Sequence, residues 1–166
     1  ARDVGGVPAQ PVAAGTVYVA VGPRAPTLYA GDGEGAGRWR EETDAEVNVP
    51  VADVDERVDA VDEESTVYAV GTDGEVRWRR TLGADVSRSA PVVVDDRVYL
   101  GSWDGSALAL ETGDGATDWR QDGDPVGFRV GGPVAVTAET VFAAGREGQL
   151  LSRIPICRCR RLPPST

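Results

Sequence analysis

Short apolar runs separated by turn residues cover the chain from Ser89 to Arg120. The runs are rich in β-branched and aromatic residues, and Asp-Asp or Asp-Gly pairs stand between them. Runs this short with such turn residues between them predict antiparallel strands joined by tight turns. The predicted strands are 91–94, 98–101, 107–110 and 116–119. The stretch is therefore expected to fold as one four-stranded meander.

The same unit recurs along the whole chain. Pro-Val dipeptides open the copies at positions 11, 50, 91 and 133, and Trp residues at 39, 78 and 119 keep the same spacing. A period near 40 residues with four strands per copy is typical of β-propeller blades. The sequence therefore predicts an all-β protein with negligible helix and about three and a half blades. The predicted blades lie near residues 8–41, 48–80, 89–121 and 131–152.

The fourth copy does not reach a Trp. A propeller removes its sheet edges by closing a ring, and three blades with part of a fourth do not close one. The sequence leaves three alternatives open: a fragment of a longer protein, half of a ring completed as a homodimer, or an open array of blades.

Residues 153–166 differ in composition from the repeats of residues 1–152. This segment carries four Arg and no acid, whereas the preceding residues carry 13 Arg and 27 acids. Because the change interrupts a repeat in the middle of a blade, we interpret the segment as a disordered or non-native tail. The functional alternatives are a basic anchor and a metal clip.

Net charge narrows the classes of partner. The chain has 27 acidic and 17 basic residues, all of the basic ones Arg, for a net charge of −10. Such a charge repels nucleic acid and anionic membranes, so neither is an expected partner. No apolar run is long enough for a transmembrane helix. An acidic chain without Lys is typical of a halophile, and a GC-rich genome that favours Arg codons explains the composition equally well.

The third and fourth strands of the repeats resemble those of the PQQ-like, or quinoprotein-type, β-propeller family. The family motif is an Ala, an acid two residues on, a Thr-Gly turn and a Trp four residues after that Gly. One copy matches at each of these offsets, with Asp114 in place of the Thr, and the other two are one residue shorter. The matching residues are Ala109, Glu111, Gly115 and Trp119; Ala69, Gly74 and Trp78; and Ala30, Asp32, Gly35 and Trp39.

This resemblance implies structural roles for the motif residues. In such blades the Trp docks between neighbouring blades and the Gly permits the tight turn. The family contains quinone-dependent dehydrogenases as well as non-enzymatic propellers, including an outer-membrane assembly lipoprotein. The dehydrogenases add a vicinal Cys pair, a Ca²⁺ site with amide ligands and a catalytic Asp. Here the first Cys is Cys157 and the one Asn is Asn48, so PQQ and calcium belong only to the alternative interpretation.

Three further features of the sequence are candidate sites. Cys157-Arg158-Cys159 has neither a second Cys pair nor a His to complete a zinc site. The acidic run 53–64 fails the pattern of a calcium loop and is interpreted as a solvated acidic face. Trp103 lies outside the Trp period, beside a hairpin turn, where it is a candidate contact for a partner or an aromatic packed on its own blade.

These observations favour a non-enzymatic scaffold that binds a protein or small ligand on one propeller face, outside the cytoplasm or at the cell surface. The chain has no His, so a Ser-His-Asp or Cys-His arrangement is excluded, and no carboxylate is singled out by its spacing. No catalytic or metal-binding residue is therefore predicted. The alternative function is a half or remnant of a quinone-dependent dehydrogenase, and a cytoplasmic location stays open.

Overall fold

The computed structural model describes residues 12–13, 16–21, 26–32, 34, 36–48, 51–54, 56–122, 130, 132, 134–137, 140–144 and 150–155. These residues form fifteen strands and no helix. Blade I contains β1 (Val12–Ala13), β2 (Val17–Val21), β3 (Thr27–Gly31) and β4 (Gly37–Glu42). Blade II contains β5 (Ala52–Val54), β6 (Arg57–Val61), β7 (Thr66–Gly71) and β8 (Val76–Thr81). Blade III contains β9 (Val92–Val94), β10 (Arg97–Gly101), β11 (Ala107–Glu111) and β12 (Thr117–Gln121). The described strands of blade IV are β13 (Ala135–Val136), β14 (Thr140–Ala144) and β15 (Leu150–Pro155).

Each blade is an antiparallel meander whose strands pair in chain order. The prediction of an all-β protein built from three four-stranded units and part of a fourth is therefore confirmed. The fourth strands extend beyond the point at which the apolar runs end. Trp119, for example, lies in the middle of β12 because Arg120 and Gln121 continue the pairing with β11.

The last described strand extends three residues into the segment assigned from composition to the basic tail. Pro155 pairs with Thr140 of β14, and Ile154 pairs with Val141. The rest of that segment, residues 156–166, lies outside the described residues, so the interpretation of a disordered or non-native tail stays a prediction. Among the described residues, no helix long and apolar enough to cross a membrane is found.

Apolar side chains from consecutive blades form three buried clusters. Val58 and Tyr68 of blade II pack against Tyr18 and Leu28 of blade I. The opposite face of blade II packs on blade III, and blade III packs in turn on blade IV. Each blade is therefore buried by its neighbours, as expected when a single blade cannot bury both of its faces alone.

The first strands of the blades lie side by side, because β9 contacts both β5 and β13. The chain direction then places the β3–β4, β5–β6, β7–β8, β9–β10 and β11–β12 turns at one end of the blades. We call this end the turn face. The β6–β7 and β10–β11 turns lie at the opposite end, together with the connection between blades II and III.

Candidate functional site

The motif Trp and Gly residues meet across the interfaces between blades. Gly74 of blade II has a φ of +88° and Gly115 of blade III has a φ of +70°. A Cβ on Gly74 would lie 2.7 Å from the Trp39 ring, and one on Gly115 would lie 2.6 Å from the Trp78 ring. The Trp of one blade thus covers the turn of the next, where only Gly combines this backbone conformation with such a close approach.

The indole groups also form hydrogen bonds across these interfaces. Trp39 Nε1 donates to the carbonyl oxygen of Thr72 at 3.0 Å, and Trp78 Nε1 donates to that of Thr112 at 2.8 Å. Trp119 Nε1 is buried without a partner among the described residues.

We expect Trp78→Phe to destabilise the fold by about 1–2 kcal/mol, because a hydrogen bond at a mostly buried interface is lost. Trp39→Phe is the matched control. Its hydrogen bond is exposed, so water can replace it and the loss should stay below about 1 kcal/mol. Urea unfolding of both variants measures the difference. An equal loss in the two variants would contradict the assignment of the stronger contact to the interface between blades II and III.

The interface between blades II and III holds a buried ion pair. Arg57 donates from Nε and Nη2 to Asp59 Oδ2, at 3.1 and 2.9 Å, and from Nη1 to the carbonyl oxygen of Thr112 at 2.7 Å. The Asp59 side chain is fully buried, and that of Arg57 is 15% exposed. Because Trp78 donates to the same carbonyl, Arg57 and Trp78 together join blade II to the β11–β12 turn of blade III.

Asp59 occupies a position that is aromatic in the other blades. It pairs with Ala52 of the first strand, as Tyr18 pairs with Val12, Tyr99 with Val92 and Phe142 with Ala135. Tyr18 and Tyr99 pack on the Trp of their own blade, with ring centroids 5.9 and 6.1 Å apart. Blade II therefore replaces an apolar contact with a charged pair.

Burial raises the pKa of the Asp59 carboxyl from 3.8 to about 6, although the Arg57 guanidinium acts in the opposite direction. Its Oδ1 atom is buried with no hydrogen-bond partner among the described residues. Desolvation of a carboxylate disfavours its charged form, and one guanidinium group compensates for only part of this cost.

We expect Asp59 to make the fold less stable as the pH rises from about 4 to about 7. The folded protein keeps the Asp59 proton up to about pH 6, whereas the unfolded chain releases it near 3.8, so the unfolding free energy falls in this window. The change is about 2–3 kcal/mol. Urea titrations over this range should show the loss in the wild type relative to Asp59→Asn. Parallel pH profiles would contradict the raised pKa.

A cavity of about 300 Å³ lies at the turn face between the same two blades, and we call it the interface cavity. Val54, Glu56, Arg57 and Arg77 line it from blade II, and Val93, Asp95, Asp96 and Thr112 line it from blade III. Arg77 is paired with Asp73 at 2.7 Å and with Glu75 at 2.8 Å. Both guanidinium groups in the cavity wall therefore already have carboxylate partners.

The interpretation of residues 53–64 as a solvated acidic face is wrong for two of the acids. Glu56, Glu63 and Glu64 are exposed, but Asp59 and Asp62 are fully buried. Asp62 closes the β6–β7 turn by accepting hydrogen bonds from the backbone of Glu64 and Thr66 and from the Tyr68 hydroxyl. Both buried carboxylates accept hydrogen bonds, Asp59 through Oδ2 from Arg57 and Asp62 from the donors of its turn. These hydrogen bonds offset part of the cost of burying a charged group.

Trp103 is half-buried in the β10–β11 turn, at the end opposite the turn face. Its backbone N–H donates to the carbonyl oxygen of Asp85, and the Arg88 guanidinium lies 5.0 Å from its ring centroid. The role of Trp103 as a partner contact stays a prediction. Ala30, Ala69 and Ala109 are buried opposite the motif Trp residues. Gly35, Cys157 and Cys159 lie outside the described residues.

A family model described as outer membrane protein assembly factor BamB matches residues 49–155. No match is found among curated proteins.

Solved structures with similar folds come from different classes of protein. BamB from Moraxella catarrhalis aligns with a TM-score of 0.71 at 23% identity over 84% of this chain, which spans 42% of that protein. The computationally designed Ika4 protein aligns with a TM-score of 0.77 at 13% identity over 92% of this chain and 93% of its own. Quinohemoprotein alcohol dehydrogenase from Comamonas testosteroni aligns with a TM-score of 0.69 at 19% identity over 84% of this chain and 29% of its own. At these identities the structural similarity concerns the fold alone.

Proposed function

We propose that this chain, which belongs to the PQQ-like β-propeller family whose model is described as outer membrane protein assembly factor BamB, is a non-catalytic scaffold that binds a partner protein. We place this function outside the cytoplasm, as the description of the family suggests. The chain spans less than half of the BamB structure that it matches, so the partner is proposed for the blades present here.

One observation carries the proposal. The Trp and Gly residues of the repeat motif pack at the interfaces between blades. The turn face, in contrast, carries exposed carboxylates from three consecutive blades. The exposed acids of this face are Glu34, Glu56, Asp73, Glu75, Asp95, Asp96 and Asp114. A surface of this kind attracts and orients a partner of opposite charge. The proposed partner therefore has a basic surface, and its binding requires no reaction at the propeller.

Photo-cross-linking from defined positions tests this function. A photoreactive phenylalanine derivative placed at Glu34 or Asp114 reports on the turn face, and one placed at Glu63 or Glu64 reports on the opposite end. In cells that make the protein, we expect adducts of defined mass from the turn face alone. Adducts from the opposite end alone, or from neither end, would contradict the proposal.

The alternative is a part of a quinone-dependent dehydrogenase. Among the described residues, no group of three carboxylate or other metal-ligating side chains converges, so we derive no catalytic step through a bound quinone. Titration with PQQ in the presence of calcium, followed through Trp fluorescence, separates the two functions. The scaffold proposal expects no saturable change, and saturable binding with dye-linked alcohol oxidation would favour the dehydrogenase.

A homodimer that completes the ring is compatible with this function and is tested separately. Light scattering behind a sizing column should give about twice 17.4 kDa if two copies associate. A mass of a single chain would remove the homodimer from the proposal and leave the binding surface of the turn face unchanged.

A further inference from the structure

The interface between blades II and III differs chemically from its described counterparts. The interfaces on either side contain a Tyr ring packed on a Trp, at Tyr18–Trp39 and Tyr99–Trp119. This one contains Asp59, whose Oδ1 atom is buried without a partner among the described residues. A residue that departs from the repeat pattern lowers the stability of the fold at that position. Such departures are expected at functional sites.

The interface cavity lies at this same interface, and Arg57, the ion-pair partner of Asp59, is part of its wall. Its volume of about 300 Å³ is at the lower end of the range for ligand sites, which suits a single long side chain. Val54 and Val93, both half-buried, provide apolar wall on the two blades. A wall of this kind covers the aliphatic part of a Lys or Arg side chain while its charged end reaches polar groups.

The charge of the cavity selects a cation. Glu56, Asp95 and Asp96 line it, and the two lining guanidinium groups are paired with Asp59, Asp73 and Glu75. The walls and their ion-pair partners thus hold six carboxylates against two guanidinium groups. An anionic ligand would have to displace the ion pairs of Arg57 and Arg77, whereas a cationic group meets a negative potential in the cavity.

We infer that the interface cavity binds an Arg or Lys side chain from a basic segment of the partner protein. Glu56 and Asp96 supply charge at the mouth, and Val54 and Val93 contact the aliphatic stem. Arg57 is a positioning residue, because its hydrogen bonds to Asp59 and to the Thr112 carbonyl fix the two walls relative to each other. This inference rests on the proposed function, since it specifies the chemistry of that protein partner.

Calorimetric titration with an acetylated, amidated tetra-arginine peptide tests the inference on the full chain at low salt. We expect saturable binding to the wild type, and the double variant Glu56→Gln/Asp96→Asn should bind about tenfold more weakly. The matched control is Glu63→Gln/Glu64→Gln, which removes the same charge from two exposed positions in the β6–β7 turn, at the end opposite the cavity. Its affinity should change by less than about twofold, because distant surface charges are screened.

Every outcome of this titration either supports or overturns the inference of a cation site in the cavity. Equal weakening in the cavity and control variants would show diffuse attraction and overturn the inference, as would the absence of saturable binding. Equal affinity for a tetra-glutamate peptide would overturn the assignment to a cation. Cross-linking to a partner from Glu34 or Asp114 does not depend on this result, so failure of the cavity site and failure of the proposed function can be told apart.

Discussion

Gly115→Ala is expected to destabilise the fold by about 3–4 kcal/mol. The substitution forces a Cβ onto a residue with a φ of +70°, which costs an L-residue about 1–2 kcal/mol. It also places that Cβ 2.6 Å from the Trp78 ring. The ring cannot move aside easily because its Nε1 is hydrogen-bonded to Thr112, so overpacking adds about 1–3 kcal/mol. Denaturant unfolding with linear extrapolation measures the sum.

Gly113→Ala, two residues earlier in the same turn, is the control. A Cβ at Gly113 would meet no atom within 4 Å, and its backbone is not among the positive-φ positions. We expect a change within about 0.5 kcal/mol in either direction. Similar losses in the two variants would mean that contact between Trp78 and the turn of blade III does not determine the geometry of the interface.

Arg57→Leu is expected to destabilise the fold by about 4 kcal/mol at pH 8, because it leaves the Asp59 carboxylate buried without its counter-ion. The loss should be smaller at pH 5. There the Asp59 carboxyl is mostly protonated, since its pKa is about 6 even with Arg57 present, and a neutral acid needs no counter-ion. Urea titrations at the two pH values provide the measurement.

Two further variants test whether this loss of stability arises from the ion pair between Arg57 and Asp59. Arg77→Leu removes an Arg that lines the same cavity but whose side chain is 48% exposed, so its loss should stay below about 1 kcal/mol. The double variant Arg57→Leu/Asp59→Leu removes both charges, and it should recover much of the stability lost in Arg57→Leu. A double variant no more stable than Arg57→Leu would show that the ion pair is not the source of the effect.

Much of the fold could be predicted from the spacing of residues. The Pro-Val and Trp periods predicted repeated units of four antiparallel strands, and the β10 and β11 strands begin at Arg97 and Ala107, within one residue of the expected positions. The ends of the fourth strands could not be located in this way. Arg120 and Gln121 are polar and exposed, so hydrophobic pattern gives no indication that they pair with β11.

The candidate site was harder to predict. The second strands read TVYV, RVDA, RVYL and TVFA, so Asp59 stood in an otherwise aromatic column. It was missed because the acids around it are hydrophilic and frequent, and frequent charges usually face water. The contact of Arg57 with Thr112 joins residues 55 positions apart, and no local pattern encodes that distance. A comparison of repeat columns would have identified Asp59, but not the cavity.

Hydrogen–deuterium exchange with and without the tetra-arginine peptide tests most directly whether the turn face between blades II and III is the binding surface. The account predicts slower exchange in the β5–β6 and β9–β10 turns, residues 54–57 and 93–96, on addition of the peptide. Exchange in the β6–β7 and β10–β11 turns, residues 62–65 and 102–106, should not change. Protection confined to the opposite end, or equal at both ends, would contradict it.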